Sequence, residues 1–398
     1  MSKRLSFLAG APRISTDPSA EMAGPRSRVL GLIKGFESLG WEVNPFIVGD
    51  RVPRKWTGKG SGQAVSKGPL RTLAVDFVRL GLGLLNSWRS WQELGDRTEW
   101  VFEYNATLQA LGWLFQRNGR IWVFQTEALM YIEAKQERKA LILDGVAKQI
   151  ELWAYRRCDV LACISETLRD ILIQELDIPA EKIVLVPNGV DIDAINPKLH
   201  SPKRLYEDFT VGFVGSLYSW AGLDLLLKAL YELRQEGYSI ALSIVGDGVM
   251  RAEWEQLATD LNLLDCVSFV GQVSWQEVPQ YISGFDIGFS GQIAIQDQKM
   301  YLSPMKLYEY MAMGKPVLAS AFEDAERLIE PRKTGFLFEP GSKSDLKRAL
   351  VESLECKATL VEMGRAARQE IERNHSWTAR VNDLITGVEQ VLSKRTMT

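Results

Sequence analysis

Residues 210–246 read TVGFVGSLYSWAGLDLLLKALYELRQEGYSIALSIVG. The first six, "TVGFVG" (210–215), are short, apolar throughout and closed by glycine, the pattern of a strand buried on both faces. "GLDLLLKALYELRQEG" (222–237) spaces its apolar residues for one side of a helix, and "SIALSIVG" (239–246) is a second strand of the first kind. Strand, helix and strand in that order make a parallel crossover unit. The pattern continues with a helix near 249–261, "CVSFVG" (266–271), a short helix, "DIGFS" (286–290) and "SPMKLYEYMAMGKPVLAS" (303–320). Alternation of this kind predicts a doubly wound α/β domain with helices on both faces of a parallel sheet.

Upstream the alternation is looser. Strands are expected at 5–9, 43–48, 100–104, 121–125, 159–163 and 183–186, and helices at 25–38, 106–117, 137–156 and 166–175. "VPNGVDIDAINP" (186–197) reads as a linker, and "SWTARVNDLITGVEQVL" (376–392) as an amphipathic helix left over once the second domain is complete. The expected division is a domain over 1–195, a second over 196–375, and a terminal helix over 376–398 that packs back on the first. Two such domains leave a cleft between them, where the carboxyl ends of parallel strands take ligands.

Composition narrows the function. The 398 residues carry 47 Lys and Arg against 50 Asp and Glu, a net charge of −3 that argues against general nucleic-acid binding. His200 and His375 are the only histidines and lie far apart, and the four cysteines form no CxxC pair, so no His-based or Cys-based metal centre is expected. Reduced thiols and a cytoplasmic location fit that cysteine usage. The opening "MSKRLSFLAGAP" reads as a first strand rather than a leader, and no window is apolar enough for a membrane span.

In 303–320, Ser303 suits a helix cap, Pro304 the first turn, Gly314 the closing turn, and Val317–Ala319 a short buried strand. Lys306 and Glu309, three apart, share one face of that helix. Its start offers free N–H groups from Met305 and Leu307 onward, the positive end of the helix dipole and the Lys306 charge, a setting for a diphosphate. Glu309 can accept from ribose hydroxyls. An ordinary surface Lys–Glu pair fits the same two residues. Strands ending at Gly215, Gly246 and Gly271 favour a ligand crevice at one edge of the sheet.

Taken together, "VPNGVD", "VGSLYSWAGLDLLLKAL", "IVGDG", "FVGQV", "SPMKLYEYMAMGKPVLAS", "AGPRSRVLGLIKGFESLGWEV" (23–43) and "CDVLACISETLRD" (158–170) resemble the successive motifs of family 4 glycosyltransferases. The resemblance implies the GT-B architecture: two facing Rossmann-like doubly wound domains around an interdomain cleft. It implies a retaining enzyme that moves a hexose-type sugar from a nucleotide-diphosphate sugar to an acceptor hydroxyl, on a glycan or lipid-linked saccharide in polysaccharide biosynthesis. It places Glu309 on the ribose, the segment of Ser303, Pro304, Met305 and Lys306 around the diphosphate through the backbone amides it offers there, and Gly271, Gln272 and Val273 beside the base. Gly215, Ser216, Gly246 and Asp247 line the donor side at the strand ends. Acceptor-side candidates are Gly24, Arg26, Glu103 and Glu127, with Lys306 and Glu127 as the catalytic pair.

This chain departs from the family where an Arg commonly follows the first glycine and a Lys follows five residues on; Ser216 and Ala221 stand there. Tyr301 replaces the first Glu of the paired-Glu pattern, and Glu127 stands at a strand end that commonly carries a His. A subgroup with G-S-x-x-x-W-x-G and SPxKLxEYMA shares such changes, and there Lys306, helped by Lys299, restores the lost charge. No DxD-like metal site stands out, so neither metal nor other cofactor is expected. A nucleotide-sugar 2-epimerase and a non-catalytic sugar-nucleotide-binding protein remain the rival readings.

One more segment stands apart. Arg51, Arg54, Lys55, Lys59, Lys67 and Arg71 precede Val75 with no acidic residue among them, and "FVRLGLGLLNSWRSW" (77–91) follows. Basic charge followed by Trp and Leu suits an anionic membrane surface, on the inner face of the plasma membrane. A flexible loop leading into a core helix fits as well.

Overall fold

A computed structural model describes residues 3–20, 22–53, 68–136, 140–293 and 303–396. It resolves into two compact units, Met1–Asn188 with Trp377–Thr398, and Gly189–Ser376. The first unit contains β1 (Arg4–Ala9), α1 (Gly24–Ser38), β2 (Glu42–Ile47), α2 (Pro69–Leu94), β3 (Trp100–Tyr104), α3 (Trp113–Arg117), β4 (Ile121–Thr126), α4 (Met130–Gln136), α5 (Asp144–Arg157), β5 (Val160–Cys163), α6 (Glu166–Gln174) and β6 (Ile183–Leu185). The second contains β7 (Phe209–Val214), α7 (Leu223–Gln235), β8 (Ile240–Val245), α8 (Arg251–Asp260), β9 (Val267–Gly271), α9 (Val278–Gly284), β10 (Ile287–Ser290), α10 (Met305–Ala312), β11 (Val317–Ser320), α11 (Glu323–Leu328), β12 (Gly335–Phe338), α12 (Lys343–Glu355) and α13 (Leu360–Glu370). The last helix, α14 (Trp377–Thr396), belongs to the first unit.

Each unit holds one six-stranded parallel sheet, ordered β2-β1-β3-β4-β5-β6 and β12-β11-β10-β7-β8-β9. Pro45, which cannot donate to a ladder, is tolerated because β2 is an edge strand. In the second sheet Phe209, Val211 and Phe213 meet Leu226, Leu227 and Leu230 on one side. Val214 and Val245 meet Leu307, Tyr310 and Met311 on the other. Cover on both faces is why these strands are apolar at every position. Strand order reverses between β7 and β10 in this sheet and between β1 and β3 in the first, and ligands of such folds gather at the carboxyl ends of those strands.

Three features differ from the sequence reading. Residues 189–195 belong to the second unit, not the first: Val190 N donates to His375 O (3.1 Å), and Val190 and Ile195 sit in the core with Tyr308 and Met311. The helix expected over 106–117 shrinks to 113–117, since Leu108 takes a left-handed φ of +64° and the Leu111 and Gly112 amides turn to a side chain. The terminal helix begins at Trp377. Its indole lies where any side chain at Gly31 would have to go, 2.2 Å from a Cβ there, and Val381 does the same at Gly35. No described helix is long and apolar enough to cross a membrane.

Candidate functional site

In the second unit, α10 follows β10 at the point of strand-order reversal. Its buried side, Leu307, Tyr308, Tyr310 and Met311, docks the helix against the sheet. Tyr310 fixes the depth: its hydroxyl accepts from Val214 N (2.8 Å) at the end of β7 and donates to Phe289 O (3.3 Å) in β10. Ser303 does not cap the helix. Pro304 is the capping position, without a side-chain bond, and the Ser303 hydroxyl donates to Asp324 Oδ2 (2.6 Å), which also accepts from Tyr308 OH (2.8 Å). The Asp324 carboxylate on α11 is a charged acceptor within reach, and the Ser303 side chain turns toward it rather than toward the first amides of the helix.

With the apolar side committed, Lys306 and Glu309 fall together on the remaining face, partly buried. The Lys306 ammonium lies 3.9 Å from the centroid of the Phe213 ring. It also lies 3.2 Å from where a Cβ on Gly215 would stand. Gly215 has φ +141°, a region closed to other residues, so the strand end can turn away and leave room for that ammonium. Neither Lys306 nor Glu309 makes a hydrogen bond or ion pair with another described side chain. Burial pulls the Lys306 pKa down to about 8, with the nearby Glu309 charge opposing it. Burial pushes Glu309 up to about 7, with Lys306 opposing. Two charges in a partly dry place with no hydrogen-bond or ion-pair partner among the described side chains are costly, which makes this face a candidate binding site.

The other donor-side candidates lie at the same edge. Gly246 follows β8, and its own bulk-free side meets the Gly215 carbonyl, 1.9 Å from where a Cβ would stand. Gly271 ends β9, while Ser216, Asp247 and Gln272 are exposed and Val273 partly so. Asp247 is turned to Gly248 N (2.7 Å) and Arg251 (3.7 Å). Lys299 and Tyr301 lie outside the described residues. Among the described residues no cluster of three or more His, Cys, Asp or Glu side chains could hold a metal ion.

In the first unit, Glu127 leaves the end of β4, partly exposed. Arg28 Nε holds one of its oxygens at 3.0 Å and the Tyr104 hydroxyl donates to the other. Arg28 is itself buried on α1, donating to Asn188 Oδ1 (2.5 Å) and Val186 O (2.7 Å), with the Gln125 amide oxygen and the Trp377 ring beside it. Burial and the Glu127 charge push the Tyr104 hydroxyl far above its ordinary range, so it stays a donor. Arg28 and Tyr104 were missed by sequence reasoning. The signal was present for Arg28, which shares the apolar stripe of Leu32 and Phe36 at steps of four, an unusual place for a charge.

Two acceptor-side candidates have structural partners. Arg26 donates to Ser15 O (2.7 Å) and Asp17 O (2.8 Å), so it staples the loop before α1. Glu103 is buried, accepting from Leu111 N (2.6 Å), Gly112 N (2.8 Å) and the Trp122 indole (3.0 Å); burial lifts its pKa to about 7. Gly24 is exposed at the first turn of α1. Glu103→Ala is therefore expected to cost about 3 kcal/mol in urea unfolding, the price of stranding buried donors, while leaving nucleotide affinity unchanged.

Residues 196–370 match the family model described as Glycosyl transferases group 1, and residues 27–194 match that of Glycosyltransferase Family 4. The chain belongs to family 4 of the glycosyltransferases. Among curated relatives, the amylovoran biosynthesis glycosyltransferase AmsK of Erwinia amylovora is 30% identical over 194 residues, 49% of this chain and 47% of that one. The chain spans about half to two thirds of the length of the curated relatives it matches. Sucrose-phosphate synthase from Thermosynechococcus elongatus superposes with TM-score 0.71 at 19% identity, over 98% of this chain and 100% of that one. HepE from Anabaena, solved with UDP and glucose, gives 0.61 at 17% identity over the whole of both. These likenesses establish the fold of this family member as GT-B, with two Rossmann-like domains.

Proposed function

We propose that the chain transfers a hexose-type sugar from a nucleotide-diphosphate donor to an acceptor hydroxyl on a glycan or lipid-linked saccharide, with retention. The observation that carries this reading is the Lys306 ammonium beside Gly215, one turn from Glu309, neither having a hydrogen-bond or ion-pair partner among the described side chains. The start of α10 and Lys306 would take the diphosphate, and Glu309 the ribose hydroxyls. Lys306 arrives beside Gly215, the residue before Ser216, where the family resemblance implies an Arg, so charge lost from the loop would return from the helix. That supports a working site over a degenerate one.

When the bond from sugar carbon to diphosphate oxygen breaks, positive charge grows on the sugar and negative charge on the leaving group. Lys306 and the helix amides stabilise the latter. The acceptor oxygen attacks the same face, and its proton passes to the departing phosphate oxygen. The reading assigns Glu127, held by Arg28 and Tyr104, to orienting the acceptor. It also assigns the neutralising charge to Lys306 rather than to a metal, so turnover should survive a chelator.

Lys306 grips phosphate only as an ammonium, and Glu309 accepts from hydroxyls only as a carboxylate. With the first lost above about 8 and the second formed above about 7, nucleotide affinity is expected to peak between those values. Calorimetric titration with UDP, GDP and ADP across pH checks this. The alkaline limb decides, because the nucleotide's own phosphate titrates on the acid side; affinity that holds steady above pH 8 contradicts the assignment. Release of free nucleotide only when an acceptor is added separates a transferase from an epimerase or a simple binder.

A further inference from the structure

Helix α2 is built inside out. Six of its seven buried residues are polar or glycine, Thr72, Asp76, Gly83, Asn86, Ser87 and Ser90, and the seventh, Leu94, is its last residue. Those it turns outward include Leu70 (83% exposed), Phe77 (60%), Val78 (58%), Leu84 (69%), Leu85 and Trp88 (51%). A helix resting on a core in water has the opposite order. Nor is this a helix placed the wrong way round, because Asp76 and Ser87 on its polar side bond to the rest of the unit. Asp76 accepts from Ile142 N (2.8 Å), Leu143 N (3.1 Å) and Arg79 (3.1 Å). Ser87 donates to Gly83 O (2.9 Å), within reach of Ala110 O (3.1 Å), and Ser90 donates to Ser87 O (3.0 Å). The apolar side is thus presented to the outside, and contiguous exposed apolar surface of this kind marks an interaction site.

Charge selects the partner. Arg71 and Arg89 are eighteen positions apart, five turns of helix, so both exposed guanidinium groups project along the same flank of the apolar stripe. The two carboxylates of the helix are spent: Asp76 is buried as described, and Glu93 pairs with Arg51 at 2.6 Å. In sequence the helix follows residues 54–67, which hold Arg54, Lys55, Lys59 and Lys67 and no acid. An apolar stripe with a basic flank matches an anionic bilayer, whereas a second copy of the helix would add more positive charge to a side that has no free carboxylate to meet it. We propose that α2 lies in the surface of an anionic lipid bilayer, its Leu, Phe, Val and Trp side chains at the acyl boundary and Arg71 and Arg89 on headgroup phosphates. The proposal stands on the first unit alone and holds whatever the chain transfers.

The test is flotation of the full chain with phosphatidylcholine vesicles, with and without phosphatidylglycerol. Binding is expected only to the anionic vesicles and is expected to weaken at high salt. Phe77→Ser with Trp88→Ser, and separately Arg71→Glu with Arg89→Glu, should each reduce it at least about tenfold. The replaced side chains are exposed, so melting temperature should not move; if the apolar pair does unfold the chain, the charge pair decides. Equal flotation of the charge variant overturns the proposal. So does sedimentation showing a lipid-free dimer that Phe77→Ser with Trp88→Ser dissociates, since the stripe would then be a self-interface.

Discussion

Lys306→Met is expected to reduce turnover by about three orders of magnitude, the scale on which losing a preorganised charge partner of a transition state is felt. The same variant is expected to be more stable than the parent below about pH 8. The folded pKa of Lys306, about 8, is below its ordinary 10.5. The folded chain therefore binds that proton less well than the unfolded chain, and the charge costs stability at every pH below 8. That cost fades as pH rises from 8 toward 10.5. A methionine keeps the stem over Phe213 and removes the charge, so the melting temperature should rise as activity falls, the signature of a side chain kept for a ligand. Glu309 runs in the opposite direction: its folded pKa, about 7, exceeds the ordinary 4.5, so its contribution is full below 4.5 and lost as pH climbs to 7. Calorimetric melts of parent and variant at mildly acidic and at alkaline pH, with turnover measured alongside, check both halves. A variant that keeps parental turnover removes Lys306 from the chemistry, and one that melts lower in acid refutes the account of its burial.

Arg28→Ala should be the most destabilising single change in the first unit. It removes the donor to Asn188 Oδ1 and Val186 O and takes the guanidinium away from Glu127. Breaking a buried charge pair from one side costs about 3–5 kcal/mol, or roughly 10 °C in melting temperature for a unit of this size. Arg28→Lys restores charge but not the fork that reaches Glu127, Asn188 and Val186 together, so only part of the loss returns. Glu127→Gln offers a contrast. Its partly exposed amide still accepts from Tyr104, and the reading of Glu127 as the acceptor-side carboxylate then predicts a fall in turnover with little change in the melt. Chemical denaturation and initial rates on the three variants separate the two roles; an Arg28→Ala chain as stable as the parent would end this account of how Glu127 is held.

The alternation of strand and helix was readable from 210–246 outward because apolar spacing is a local property, and the same locality put Lys306 and Glu309 on one face. The structural partners of Arg26 and Glu103 were not readable for the complementary reason. Their types and positions suit a binding site, but whether a guanidinium or carboxylate is free depends on which backbone groups the folded chain brings to it. The loop before α1 claimed one, and the 108–112 turn claimed the other.

What the sequence determined unaided is the pair of parallel α/β domains, the glycine ends of β7, β8 and β9, and the helix whose free face carries an ammonium and a carboxylate. All follow from periodicity and from the conformational range of single residues. Tertiary structure alone decided that the Lys306 ammonium rests between Phe213 and Gly215, that Arg28 and Tyr104 grip Glu127, and that α2 turns its polar side inward. These depend on which strands become neighbours and how deep each helix sits, and that is settled by packing across the whole sheet rather than by spacing along the chain.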